Sequence, residues 1–169
     1  MSVTTKTGDK GQTRLFTGQS IAKDDLRVET YGTIDQLTAT IGMARAFAQN
    51  ARVKELLFQL QKQLGILMAD FASRGQEPMI TEEMLQSIEA EITNIEGSLP
   101  PLTKFLVPGE TKAEAFLDFA RTTARMAERR AWSLSRRGTV ADIDLRYLNR
   151  ISDYLFILMR LENEDIPRR

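Results

Sequence analysis

The sequence predicts an all-α fold: a mostly antiparallel bundle of five helices behind a polar N-terminal loop. Three observations carry that reading. Apolar residues recur at three- and four-residue spacings in five separate segments, the period of a helix with one buried face. Stretches rich in glycine, proline or capping residues separate these segments. Most of those stretches are short, and short connections favour antiparallel neighbours. The 169 residues read as a single domain able to bury a core, with 1–30 as the loop and 31–165 as the bundle.

The loop comes first. Thr4-Thr5-Lys6-Thr7-Gly8-Asp9-Lys10-Gly11-Gln12-Thr13 has too few apolar residues to form core. It continues as short extended pieces through Thr17-Gly18-Gln19-Ser20 to Lys23-Asp24-Asp25. Helical spacing follows: Ile34, Leu37, Ile41, Ala44 and Ala48 share one face, with Asp35 beside it. A second helix is expected from about Arg52 to Phe71, its core face being Val53, Leu56, Leu57, Leu60, Leu64, Leu67 and Phe71. Gly75 and Pro78 break the pattern. Thr81 suits the N-cap of a third helix, with Glu82 and Glu83 placed to complement its dipole and Met84, Leu85, Ile88, Ile92 and Ile95 as its stripe. A long loop from Gly97 to Gly109 contains three prolines. Thr111-Lys112-Ala113-Glu114 fits a capping box opening a fourth helix that runs to about Ser135. Asp142 or Asp144 is expected to cap a fifth helix carrying Leu145, Leu148, Ile151, Leu155, Leu158 and Leu161.

Composition narrows the chemistry. Twenty-three Lys+Arg balance 23 Asp+Glu, and both Cys and His are absent. Without Cys there is no disulfide framework, no cysteine-ligated zinc or iron–sulfur site and no thiolate nucleophile. Without His there is no Ser-His-Asp triad, no two-His zinc helix and no Glu-x-x-His di-iron motif. Chemistry is left to Lys, Arg, Asp, Glu, Asn, hydroxyls, the backbone or a bound cofactor. A net charge of zero argues against a generic polyanion binder. No apolar run approaches the roughly 18 residues of a membrane span. The first residues carry no signal-peptide core, so a cytoplasmic protein without a membrane partner is expected.

Three constellations remain. Arg121, Arg125, Glu128 and Arg129 lie at i, i+4, i+7 and i+8 and project from one face of the fourth helix, opposite Ala120, Ala124, Ala127 and Ala131. Such a face is a solvated set of ion pairs, a guanidinium ladder for phosphates, or a nucleic-acid patch. No aromatic residues interleave as a stacking platform, which argues against nucleic acid. In the loop, Gly8 and Gly11 allow successive backbone N–H groups to form an anion nest, with Lys6 and Lys10 adding charge. The segment is not a Walker A motif, and a simple turn fits it as well. On the fifth helix, Asn149 and Asp153 are i, i+4 partners, and Asn149 is able to read an adenine or ribose edge; a plain polar stripe is the alternative.

The order and spacing of several blocks say more than any one of them. These are Thr5 to Gly11, Lys23 to Glu29, Tyr31-Gly32-Thr33-Ile34-Asp35, Phe105-Leu106-Val107-Pro108-Gly109, Ala120 to Arg130, and Arg146 to Phe156. Together they resemble the PduO-type ATP:cob(I)alamin adenosyltransferases. The resemblance spans most of the chain, although residues 50–100 do not contribute to it.

The resemblance implies a five-helix bundle assembling as a homotrimer with sites between subunits. It implies transfer of the 5′-deoxyadenosyl group of ATP to the cobalt of reduced cobalamin or a related corrinoid, giving adenosylcobalamin and triphosphate. Magnesium is expected to accompany the ATP through its phosphates, with Glu128 and Asp9 as candidate outer partners and not as ligands, and a separate reductase would supply the reduced cobalt. By position, Thr5, Lys6, Thr7, Gly8, Gly11, Thr13, Arg14 and Lys23 would hold ATP, joined by Arg125, Glu128, Arg129 and Asn149. Arg125, Arg121 and Asp35 would serve catalysis, Asp35 and Arg121 as a salt bridge across the subunit interface. Phe105 would lie under the corrin ring. The chain departs from the usual family pattern at Gln36, Thr38, Glu110, Asp118 and Met126. Alternatives are a non-catalytic ATP- or corrinoid-binding homologue and a structural or nucleic-acid-binding bundle.

Overall fold

A computed structural model describes residues 6, 8–138 and 140–164. Its elements are a small hairpin, β1 (Gln12–Arg14) and β2 (Ser20–Ala22), followed by α1 (Leu26–Phe47), α2 (Ala51–Phe71), α3 (Glu82–Ser98), α4 (Lys112–Ser135) and α5 (Asp142–Glu162). The five helices are those the spacing predicts. The strands are antiparallel, with Thr13 opposite Ile21 and Arg14 opposite Ser20.

The first helix begins earlier than apolar spacing indicates. Asp25 caps it by accepting from the Arg27 backbone N–H at 2.8 Å, so the loop ends at 25 and not at 30. Its buried face continues backward through polar residues, Thr30 and Arg27, which counting apolar positions misses. Thr30 returns its hydroxyl to the Leu26 carbonyl at 2.7 Å. Arg27 is 6% exposed and donates to the carbonyls of Phe71 and Ser73 at 2.8 and 3.0 Å, capping the end of α2.

The other helix starts follow side-chain chemistry. Asn50 caps α2, accepting from Arg52 and Val53. Thr81 caps α3 and Thr111 caps α4, as expected. Glu114 reaches back to the Glu110 backbone N–H at 2.9 Å, closing the capping box one residue before the cap. The fifth helix differs from expectation. Its N-cap is Ala141, which makes no side-chain cap bond, and Asp142 and Asp144 fall inside the first turn. Asp144 cannot cap because it is turned inward and buried.

Between α1 and α2 only Ala48–Asn50 intervene, and α2 folds back along α1. Glu162 of α5 clamps that turn by accepting from the N–H groups of Gln49 and Asn50. The fourth helix packs against α1 and α5, and α3 packs against α5. Ala120, Ala124, Ala127 and Ala131 are all fully buried, and their small side chains let α4 sit close to its neighbours. Leucine and isoleucine fill the rest, each worth about 1.5–3 kcal/mol of burial. Tyr147 is also fully buried, its hydroxyl donating to Gln63 at 2.7 Å.

Candidate active site

The N-terminal loop forms a compact turn. The Gly11 N–H donates to the Gly8 carbonyl at 3.2 Å, and the Lys23 N–H donates to the Gly11 carbonyl at 2.9 Å. Gly11 sits at φ 76°, a conformation that favours glycine. Lys6 also has positive φ, at 58°. At Gly8 a Cβ would lie 2.9 Å from Lys23 Nζ. The bare backbone therefore lets the ammonium fold over the turn, which puts a cation and backbone donors in one place. Thr13 is half-buried in β1, and Arg14 is exposed beside it. Thr5 and Thr7, expected in the same site, lie outside the described residues.

The hairpin is fastened to the end of α2. The Phe16 N–H donates to the Ala72 carbonyl at 2.9 Å, and the Arg74 N–H donates to Thr17 Oγ1 at 3.2 Å. Leu15 and Ile21 are buried beneath it. Arg27, which caps α2, thus steadies the same segment from below. Burial and then the Arg74 charge lower the Arg27 pKa, while Asp25 acts the other way.

The second group lies on α4 and α5. Arg125 and Arg129 are exposed and form no ion pair with a described residue. Asn149 donates through Nδ2 to Glu128 Oε1 at 2.7 Å, so the two ATP candidates on different helices meet. The expected partner of Asn149, Asp153, instead pairs with Arg150 at 3.0 Å. The reason is geometric: Glu128 projects across from α4, and Arg150 carries the charge that Asp153 accepts. Beside this face, Arg130 bridges to α1, pairing with Glu29 at 2.6 Å and donating to the Thr33 hydroxyl.

Asp35 is exposed on α1 and pairs with no described residue. Arg121 donates to Asp118 on its own helix, at 2.8 Å from both Nε and Nη2. Phe105 is 91% exposed at the crest of the loop before α4, next to Val107 at 78%. Leu106 between them is packed against the core, which fixes the loop while leaving both neighbours outward. Glu110 is exposed at the end of this loop.

No hydrogen bond or ion pair joins the described part of the N-terminal loop to the Arg125–Asn149 face. Among the described residues, two polar, cationic groups and an exposed phenylalanine are therefore not joined by such bonds. Among the described residues no group of three or more acidic side chains gathers as a metal site.

The sequence profile described as Cobalamin adenosyltransferase matches residues 3–162. The chain belongs to that family. Among its relatives is the corrinoid adenosyltransferase PduO of Citrobacter freundii, 42% identical over 98% of this chain; the chain spans about half (51%) of that protein's length. The corrinoid adenosyltransferase of Bacillus subtilis is 40% identical and is matched over 87% of its length by 96% of this chain. Among solved structures, a phenylalanine-to-alanine variant of the PduO-type ATP:corrinoid adenosyltransferase from Lactobacillus reuteri, complexed with cobalamin and ATP, superposes with a TM-score of 0.90. The match is 31% identical and covers 96% of this chain and 93% of that one.

For this member of the cobalamin adenosyltransferase family, two supporting features emerge only from the structure. One is the Arg27 clamp on α2, the other the Arg130–Glu29–Thr33 bridge. Arg27 lies seven residues before Ile34, on the same helical stripe. An arginine in that register was the signal that the face continued.

Proposed function

We propose that the protein transfers the 5′-deoxyadenosyl group of ATP to the cobalt of a reduced corrinoid. The cobalt(I) centre of the substrate attacks the ribose 5′ carbon, a cobalt–carbon bond forms, the carbon–oxygen bond breaks, and triphosphate leaves. The observation that carries this is the pairing of two cationic half-sites with an exposed Phe105 in a chain of this family. No protein nucleophile is required, which agrees with the absence of Cys and His.

The protein's work is orientation and charge stabilisation. Lys23, folded over the Gly8–Gly11 turn, suits the phosphates, as do Arg125 and Arg129. Asn149, held by Glu128, suits the nucleoside. Charge-assisted hydrogen bonds are worth about 1.5–3 kcal/mol each. Two that strengthen on the departing triphosphate supply roughly 10² to 10⁴ in rate. Magnesium is expected to travel with the ATP phosphates.

The two half-sites support assembly as a homotrimer, with the loop of one subunit meeting the Arg125–Asn149 face of the next. In that assembly Arg121 leaves Asp118 for a neighbour's Asp35. Phe105 supplies an apolar floor for the corrin. A reductase partner supplies the reduced cobalt, and the reaction belongs in the cytoplasm, where ATP is available. The relevant structural fact on location is narrower: no described helix is long and apolar enough to cross a membrane.

The Asp118–Arg121 pair favours a second reading, a homologue that binds ATP or corrinoid without turnover. Incubation with ATP, Mg²⁺ and chemically reduced cobalamin separates the two. Spectral conversion to adenosylcobalamin supports the transferase; ATP binding by calorimetry without conversion supports the second reading.

A further inference from the structure

A cavity of about 810 Å³ lies at the end of the bundle, below the hairpin, where α1 and α5 begin and α2 and α4 end. Asp144 of α5 lines it and is 4% exposed. Its Oδ1 receives no hydrogen bond. Asp70 of α2 lines the same cavity, so two carboxyl side chains share one enclosed space. Two acceptors can bond only through a proton held between them.

Asp70 is already committed elsewhere. It accepts from the Met79 and Ile80 backbone N–H groups at 2.9 Å, which folds the segment after α2 back on itself. With three such contacts Asp70 is the better acceptor, which leaves the buried Asp144 to carry any proton the two share. The turn closed by these bonds, residues 71–80, includes Ala72 and Arg74, on which the hairpin rests through Phe16 and Thr17.

We propose that Asp144 is a positioning residue: by sharing a proton with Asp70 it holds the end of α2 and thereby seats the N-terminal loop for its nucleotide. The ligand in this statement rests on the proposed function; the link between the acid pair and the loop does not. Burial, and after it the Asp70 charge and hydrogen bond, raise the Asp144 pKa to about 7. Charged groups facing it are Asp24, Asp25 and Arg27 at the start of α1, Arg74 and Glu77 after α2, and Arg137 at the end of α4. The Arg27 guanidinium donates to the Phe71 and Ser73 carbonyls on the same wall of the cavity.

The sign of the pH dependence follows. The unfolded chain releases this proton near 3.8 and the folded chain only at about 7. The contribution of Asp144 to stability is therefore greatest in acid, declines as pH rises through that window, and is flat above it. Above it, two like charges face each other in a buried place and the latch opens.

The test compares the wild type with D144N, which keeps the shape and the donor but cannot ionise. Two readouts are used: hydrogen exchange at residues 12–22 and ATP affinity by calorimetry. Between about pH 6 and about pH 8 the wild type is expected to weaken for ATP by roughly fivefold more than D144N does. At the higher pH its Phe16 amide is expected to exchange faster than that of D144N. A second variant, D70N, removes the like charge and is expected to shrink the same difference. Identical exchange in the wild type and both variants across the range overturns the proposal. If the exchange difference appears but neither protein binds ATP, the latch stands and the nucleotide reading falls.

Discussion

At the residue scale the decisive side chains are few. Arg125 is exposed, forms no ion pair with a described residue, and sits one turn before the Glu128–Asn149 contact. Arg125→Ala is expected to lower kcat by roughly 10²- to 10³-fold, the cost of losing one donor to developing charge. Melting should change by no more than about 0.5 kcal/mol, because no packing is lost. Turnover and unfolding curves on the same sample check both halves, and wild-type turnover would remove Arg125 from the site. Phe105 gives a complementary expectation. At 91% exposure it supports no core, so Phe105→Ala should leave stability untouched while altering corrinoid affinity or turnover. Unchanged corrinoid kinetics would assign the exposed ring no role in the reaction.

At the scale of elements, α4 carries the candidate site residues on one side and the core on the other. Its buried alanines leave no room for larger residues. Ala127→Leu is expected to destabilise by about 1–3 kcal/mol through overpacking. For a chain of this size that corresponds to a melting-temperature fall of about 2–12 °C. A melting temperature unchanged by the substitution would mean that α4 does not pack as described. Apolar spacing made this helix and the other four legible, because each buries a stripe of regular period. Capping chemistry made Thr81 and Thr111 legible in the same way. The start of α1 was hidden because its stripe continues through Arg27 and Thr30, whose polar atoms are satisfied by backbone carbonyls. The start of α5 was misread because an aspartate near a helix start looks like a cap, and only tertiary structure reveals that Asp144 is drawn inward toward Asp70. Type and spacing made Arg125 and Asn149 candidates beside a plain polar face, and only the family resemblance implies that they hold ATP. That Asn149 is held by Glu128 and not by Asp153 depends on how two helices face each other, which no local pattern encodes.

At the scale of the whole molecule, no hydrogen bond or ion pair among the described residues joins the loop to the Arg125–Asn149 face, and that is the physical ground for the proposed assembly. Asp35 and Arg121 carry the prediction. Asp35→Asn is expected to shift the proposed trimer towards smaller species on dilution, or to weaken corrinoid binding, because Arg121 then keeps Asp118 as its partner. Sedimentation across a dilution series reads the first outcome and corrinoid titration the second. No change in either would take Asp35 out of the interface. The central claim, however, concerns a bond to cobalt. The measurement that bears on it most directly is the absorption spectrum of cob(I)alamin mixed with this protein, ATP and Mg²⁺. Conversion to the adenosylcobalamin spectrum, with one triphosphate released per corrinoid, is the result expected. A spectrum that stays that of cob(I)alamin while ATP is bound would contradict it.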